Sequence, residues 1–214
     1  MRDGVWGQAL SSVHRDRARP ALFLDRDGVI IKDRGYVCRP EEVQLLDGVA
    51  SLIRNANEGG IPVAVVTNQS GVGRGYFGWD DFAATQQRLL ELLGQQGAHL
   101  DLVFACPFHH DAEPPYRIAD HPCRKPRPGM LFHAATLGNL DLSRSWIIGD
   151  RISDLAAGQA GGLAGGALFT IEAALEEVQH ASALAAPEFS IVLAHSATQL
   201  LHLPLFAVPS EPTS

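Results

Sequence analysis

The sequence predicts an α/β fold, a single Rossmann-like three-layer domain with a central parallel sheet and no cap. Three observations predict it. Short apolar runs alternate along the chain with amphipathic segments of helical spacing, the pattern of strand–helix–strand units. The runs are apolar throughout instead of alternating with polar residues, as befits strands covered on both faces. The 214 residues, 46% hydrophobic and 19% charged, suffice to bury one good-sized core.

In order, residues 1–19 read as a polar lead-in and residues 20–203 as the folded domain. Residues 21–24 suit a buried strand. Residues 26–47 form a loop punctuated by Gly28, Gly35 and Pro40. A helix is predicted over 49–57, where Val49, Leu52, Ile53 and Ala56 share a face before Gly59-Gly60 stops it. Residues 61–66 are β-branched and apolar, a central strand, and 67–78 a glycine-rich loop. Residues 79–96 carry Phe82, Leu89 and Leu93 at helical spacing, with Asp80 and Asp81 near the positive end of the helix dipole. A strand over 102–105 precedes a long Pro- and His-rich loop, 106–128. Then follow a helix over 128–137, a strand over 145–148, a helix over 152–159, a strand over 163–170, a helix over 171–183, a strand over 189–193 and a tail over 204–214.

Charge and composition narrow the function. Seventeen basic residues against 24 acidic ones give −7, which argues against general nucleic-acid or anionic-membrane binding. Three cysteines make no disulfide framework. Residues 1–20 hold scattered charges and no apolar stretch, so no signal peptide is read there. The longest uncharged stretch, 155–171, holds five glycines and suits a turn and strand better than a membrane span. A cytoplasmic protein is expected.

Ligands of parallel sheets bind at the carboxyl ends of strands. Asp25 and Asp27 follow the first predicted strand, and carboxylates this close suit either a hard cation or a nucleophile paired with an acid/base. Asp150 follows another strand and Asp154 stands one helical turn on. Thr67, Asn68, Gln69 and Ser70 end the 61–66 strand with hydroxyls, amides and backbone N–H groups fit for phosphate oxygens. Arg124-Lys125-Pro126-Arg127 is the densest basic cluster, its backbone stiffened by Pro126 and Pro128. Gly71, Gly73 and Gly75 make no dinucleotide fingerprint, and there is no Walker A sequence.

Four motifs in order, Phe23-Leu24-Asp25-Arg26-Asp27-Gly28, Val65-Val66-Thr67-Asn68-Gln69-Ser70-Gly71, Arg124-Lys125-Pro126 and Ile148-Gly149-Asp150-Arg151-x-x-Asp154, resemble the signatures of the haloacid dehalogenase-like phosphohydrolases. Within them the combination looks most like the D-glycero-D-manno-heptose 1,7-bisphosphate 7-phosphatase and histidinol-phosphatase subfamily. The resemblance covers roughly residues 20–170. It implies a Mg2+-dependent phosphatase of small sugar phosphates, with Asp25 as nucleophile and Asp27 as general acid and then base. It also implies Mg2+ on the Asp25 carboxylate, the Asp27 carbonyl and Asp150, and Thr67 and Lys125 as phosphoryl stabilisers. Asp33, Asn68, Gln69, Ser70, Arg124 and Arg151 match positions near the substrate. Val29 departs from the family's usual Thr. The gaps between motifs leave no room for a cap domain, so loops 29–47, 71–78 and 106–124 would form the specificity rim.

The relatives carry a zinc loop, and Cys106, His109, His121 and Cys123 offer a structural Zn2+ set, with His110 as substitute for His109. Phe108 and His121 depart from the relatives' Cys-x-His and Cys-x-Cys. Histidinol phosphate and polynucleotide 3′-phosphate ends are alternative substrates, though the net charge counts against nucleic acid. A noncatalytic phospho-acceptor or metal-binding module is a different class, disfavoured by Asp27 and the Arg124-Lys125 pair. A monomer is expected.

Overall fold

The protein's structure, a computed structural model, describes residues 4–11, 17–170 and 175–207. Seven strands form among them: β1 (Trp6–Ala9), β2 (Leu22–Leu24), β3 (Val63–Asn68), β4 (Leu102–Cys106), β5 (Trp146–Gly149), β6 (Gly165–Phe169) and β7 (Ser190–Ala194). They make one sheet in the order β1-β4-β3-β2-β5-β6-β7. Every neighbouring pair is parallel except β1 with β4, where Trp6 stands opposite Ala105 and Ala9 opposite Leu102.

The apolar runs become strands because both of their faces are covered. Leu22 and Leu24 join Val63, Val65, Ile148 and Ala167 on one face, and Phe23 joins Ala64, Val66 and Ile147 on the other. The first face packs against α1 (Val49–Glu58) and α3 (Trp79–Gly94), through Leu52, Ile53, Phe82 and Leu89. The second packs against α4 (Gly129–Gly138) and α5 (Ile152–Ala160), through Met130, Leu131, Ala134 and Ala157. Each buried Leu or Ile contributes about 2 kcal/mol by leaving water. The expected three layers are present.

Topology places the site. From β2 the chain steps to β3 and β4 on one side, then crosses back so that β5, β6 and β7 build outward on the other. β2 lies at the switch point, where connections diverge and open a crevice beyond the strand ends.

Several expectations need correction. Trp6–Ala9, read as part of a polar lead-in, is an antiparallel edge strand, so the sheet is mostly rather than wholly parallel. Gly7 and Gln8 break its apolar run, yet Trp6 packs on Trp79 and Phe82 with ring centroids 5.5 Å away in each case. The glycine-rich loop contains one helical turn, α2 (Ser70–Gly73). A further turn, α7 (Ala197–Leu200), was not foreseen. α6 covers Leu175–Ala183, and residues 171–174 of the helix expected there lie outside the described residues. Pro204–Ala207, expected as frayed tail, is a 3-10 turn with Leu205 buried, and residues 208–214 lie outside the described residues. No helix of the described residues is long and apolar enough to cross a membrane.

Gln86 in α3 is buried, and neither of its amide atoms has a hydrogen-bond partner. An unmatched buried amide costs about 1–3 kcal/mol. Gln86→Met keeps the length and removes the penalty. The variant should melt roughly 2–4 °C higher per kcal/mol recovered. A Tm equal to or below that of the parent in thermal denaturation would refute the assignment.

Candidate active site

Three strand ends and one loop converge on a cavity of about 410 Å3. Asp25 follows β2, and its backbone N–H donates to the Ile148 carbonyl at 3.0 Å, which ties it to β5. Gly28 then turns the chain with φ +83°, and a Cβ there would run into the Asp150 carboxylate. Glycine is therefore what lets the β2 turn close on Asp150. Gly149 is crowded in the same way, since a Cβ there would run into the Asp154 side chain. Asp154 sits in the first turn of α5 and accepts a hydrogen bond from the Arg151 N–H at 3.1 Å.

Lys125 arrives from the loop after β4 and is buried. Its Nζ lies 2.9 Å from Asp25 Oδ1 and 2.6 Å from Asp154 Oδ1, and donates to the Val66 carbonyl at 2.7 Å. The Val66 carbonyl takes one of the ammonium's N–H bonds, and the two carboxylates pair with its charge. Asn68 fixes the same loop reciprocally, donating to the Lys125 carbonyl and accepting from the Lys125 N–H, both at 3.1 Å. Burial works against the Lys125 charge, but Asp154 and Asp25 outweigh it and hold its pKa above the usual lysine value.

The carboxylates show the opposite effect. Burial pushes the Asp25 pKa up to about 6, with Asp154 and Asp27 adding to the rise and Lys125 opposing it. Burial, followed by Asp25 and Asp154, raises Asp150 to about 7. Oxygens of Asp25, Asp150 and Asp154 all lie within 4.8 Å of one another. The Oδ1 atoms of Asp25 and Asp150 are buried without a hydrogen-bond partner, the Lys125–Asp25 contact being an ion pair outside hydrogen-bond geometry. Crowded hard oxygen donors with orphaned lone pairs fit a small divalent cation such as Mg2+. Asp154 is already engaged by Lys125 and the Arg151 N–H, which leaves Asp25 and Asp150 as the better side-chain ligands.

The cavity is lined by Asp25, Asp27, Asp33, Thr67, Asn68, Gln69, Ser70, Arg124, Lys125, Arg151 and Asp154, all read from the sequence, and also by Gly35, Tyr36 and Ser153. Asp150 lines the adjoining depression with Gly28 and Arg151. Arg151 reaches Asp33 at 3.3 Å, and Arg124 donates to the Phe108 carbonyl at 2.9 Å. Gln69 lines the cavity, and its amide turns to Asp27, Thr67 and Arg26. Sequence reading missed Arg26 altogether. Leu22, Leu24 and Arg26 share a face by the two-residue period of a strand, which points a charge at the α3 layer, and that was the available signal.

The zinc set does not assemble. Among the described residues the convergent groups of three or more metal-binding side chains are Asp25, Asp150 and Asp154, and the surface group His109, His110 and Asp111. Cys106, His109, His121 and Cys123 do not converge. Phe108 stacks flat on His121 at 3.7 Å. His121 Nδ1 accepts from the Cys123 N–H, and His109 is engaged by Arg74 and the Asp111 N–H. Burial pushes the Cys106 thiol up to about 12. Where the resemblance implies a ligand, Phe108 packs on His121 instead.

A haloacid dehalogenase-like hydrolase family model matches residues 8–162. A D-glycero-β-D-manno-heptose-1,7-bisphosphate 7-phosphatase of Mesorhizobium japonicum is 49% identical over 173 residues, covering 81% of this chain and 80% of its own. One of Yersinia pestis is 39% identical, covering 66% and 75%. The solved structure of a haloacid dehalogenase-like phosphatase from Mesorhizobium loti superposes with TM-score 0.84 at 44% identity, covering 95% of this chain and 92% of that one. A D,D-heptose 1,7-bisphosphate phosphatase from B. bronchiseptica, solved with magnesium and phosphate, gives TM-score 0.69 at 28% identity, covering 85% and 98%. With its motif residues gathered at one strand edge, the chain belongs to the haloacid dehalogenase-like hydrolases.

Proposed function

We propose that the protein is a Mg2+-dependent phosphatase of a small sugar phosphate, removing the 7-phosphate of D-glycero-D-manno-heptose 1,7-bisphosphate. The observation that carries the chemistry is the convergence of Asp25, Asp27, Thr67 and Lys125 on one cavity beside orphaned carboxylate oxygens. The sugar substrate is supported by the names of the relatives at 49% and 39% identity. On this reading the enzyme works as a cytoplasmic monomer in carbohydrate metabolism.

Asp25 attacks phosphorus, forming a P–O bond as the bond to the sugar oxygen breaks. The leaving oxygen keeps that electron pair and takes the proton of Asp27. Water next attacks the aspartyl-phosphate, giving a proton to Asp27, and cleavage of the acyl–phosphate bond restores Asp25 and releases phosphate. Two displacements replace one very slow hydrolysis. The Lys125 ammonium and the Thr67 hydroxyl stand where charge gathers on the phosphoryl oxygens. Asp25, Asp150 and the Asp27 carbonyl would hold Mg2+, which supplies positive charge against those oxygens. Ser70, Arg124, Arg151 and Asp33 face the leaving group from the rim.

Asp25→Asn and Asp27→Asn should each lower kcat/KM at least about 100-fold. The assay is phosphate release from heptose bisphosphate, histidinol phosphate, other sugar phosphates and a 3′-phosphorylated oligonucleotide. Full activity in Asp25→Asn would overturn the nucleophile assignment. A kcat/KM favouring histidinol phosphate or the oligonucleotide would overturn the substrate.

Mg2+ and pH should act together. The folded-state pKa values of about 6 and 7 exceed the ordinary 3.8, so metal-free protein binds extra protons between about pH 4 and 7. These two groups therefore withdraw stability as pH rises through that window. Mg2+ needs the ionised carboxylates and should raise Tm more at pH 8 than at pH 5. An equal Mg2+ shift at both values would remove Asp25 and Asp150 as ligands.

A further inference from the structure

We propose that Arg26 and Gln69 are positioning residues for Asp27, fixing its carboxylate at one place in the cavity wall. The inference rests on the reading of Asp27 as acid/base and extends it to two side chains behind it.

Arg26 is 1% exposed. A guanidinium buried so completely persists only when paired and hydrogen-bonded. Its Nε donates to Asp27 Oδ2 and its Nη2 to Asp27 Oδ1, both at 3.0 Å, a two-pronged grip on the adjacent residue. Gln69 Nε2 donates to Asp27 Oδ2 at 2.8 Å and to Thr67 Oγ1 at 2.9 Å. The ring closes where Arg26 Nη2 donates to Gln69 Oε1 at 3.3 Å, which sets the Gln69 amide with its oxygen toward the arginine.

The ring is anchored to the core. Arg26 Nη1 donates to Thr85 Oγ1 at 3.4 Å, and the guanidinium lies over the Phe82 ring, 5.1 Å from its centroid. Thr85 in turn donates to the Phe82 carbonyl, so its oxygen lone pairs face Arg26. Both Asp27 oxygens thus have fixed donors attached to α3. Proton transfer depends steeply on such placement.

A positioning role leaves a signature that general destabilisation lacks. Asp27 must protonate a sugar alkoxide, but a nitrophenolate leaves without a proton. Positioning therefore matters in proportion to the basicity of the leaving group. The experiment compares kcat/KM for heptose bisphosphate and p-nitrophenyl phosphate in Arg26→Met, Arg26→Lys, Gln69→Leu, Asp27→Asn and the Arg26→Met/Asp27→Asn double variant. Folding is checked by circular dichroism and Tm.

Arg26→Met should lose about tenfold or more on the sugar phosphate and less than about threefold on the nitrophenyl ester, and Gln69→Leu, which also releases Thr67 Oγ1, should lose activity on both but several-fold more on the sugar phosphate. Arg26→Lys should recover part of the loss. The double variant should be no worse than Asp27→Asn alone, as expected of residues acting through one group. If Arg26→Met does not fold, Gln69→Leu carries the test, since it removes no buried charge. Should Asp27→Asn discriminate between the esters while the folded Arg26 and Gln69 variants lower both equally or neither, the positioning role is overturned. Should Asp27→Asn itself fail to discriminate, the acid/base reading of Asp27 is what falls.

Discussion

The Lys125 ammonium is the interaction on which the rest of the site depends. Oxygens of three carboxylates stand within 4.8 Å of one another at the end of a dry sheet. Burial alone pushes two of them toward the neutral form. Lys125 lies between Asp25 and Asp154 and draws its third contact from the Val66 carbonyl, so one cation binds the ends of β2 and β3 to the first turn of α5. Removing it would leave buried charge unpaired, which is far more costly than losing a surface ion pair. The Asn68 clamp on the Lys125 backbone makes sense in that light, because it holds the loop that delivers the cation.

The floor and the rim of the cavity obey different physics. On the floor, Lys125 and Asp154 are buried and multiply bonded, and so is Arg26 behind it, so their positions are over-determined. At the rim, Arg151 is two-thirds exposed and meets Asp33 at 3.3 Å, a contact that water and salt weaken. Chemistry that must be repeated identically sits on rigid strand ends. The rim around the cavity mouth is built from loops. The acidic balance of −7 is compatible with a phosphate ligand because Arg124, Lys125 and Arg151 line this one cavity.

Much of this was legible in the sequence. Runs apolar throughout gave the covered strands, and acids directly after them marked the functional edge. The ten residues read as catalytic or substrate-contacting, from Asp25 to Arg151, line one cavity. What escaped was information that only three dimensions carry. Trp6–Ala9 has too little apolar continuity to stand out, and its identity as a strand comes from pairing with residues 102–105. Gln69 could be read as polar and near phosphate, but not as turned toward Arg26. The Cys/His loop offered ligand types without their geometry, and Phe108 resolves it in favour of packing.

The position of β2 has a consequence for how the molecule comes into being. Its two neighbours come from opposite ends of the catalytic sequence. β3 follows after one helix, but β5 joins only when the chain has run far further, as the Ala21 N–H to Ser145 Oγ bond across 124 positions records. On the ribosome, Asp25, Asp27 and the segment from Thr67 to Ser70 exist long before Lys125, Asp150 and Asp154 emerge. Until then one edge of this wholly apolar strand is an open template for mispairing. The last segment to seal that edge is also the one that delivers the remaining acids, so an unfinished chain is an inactive one.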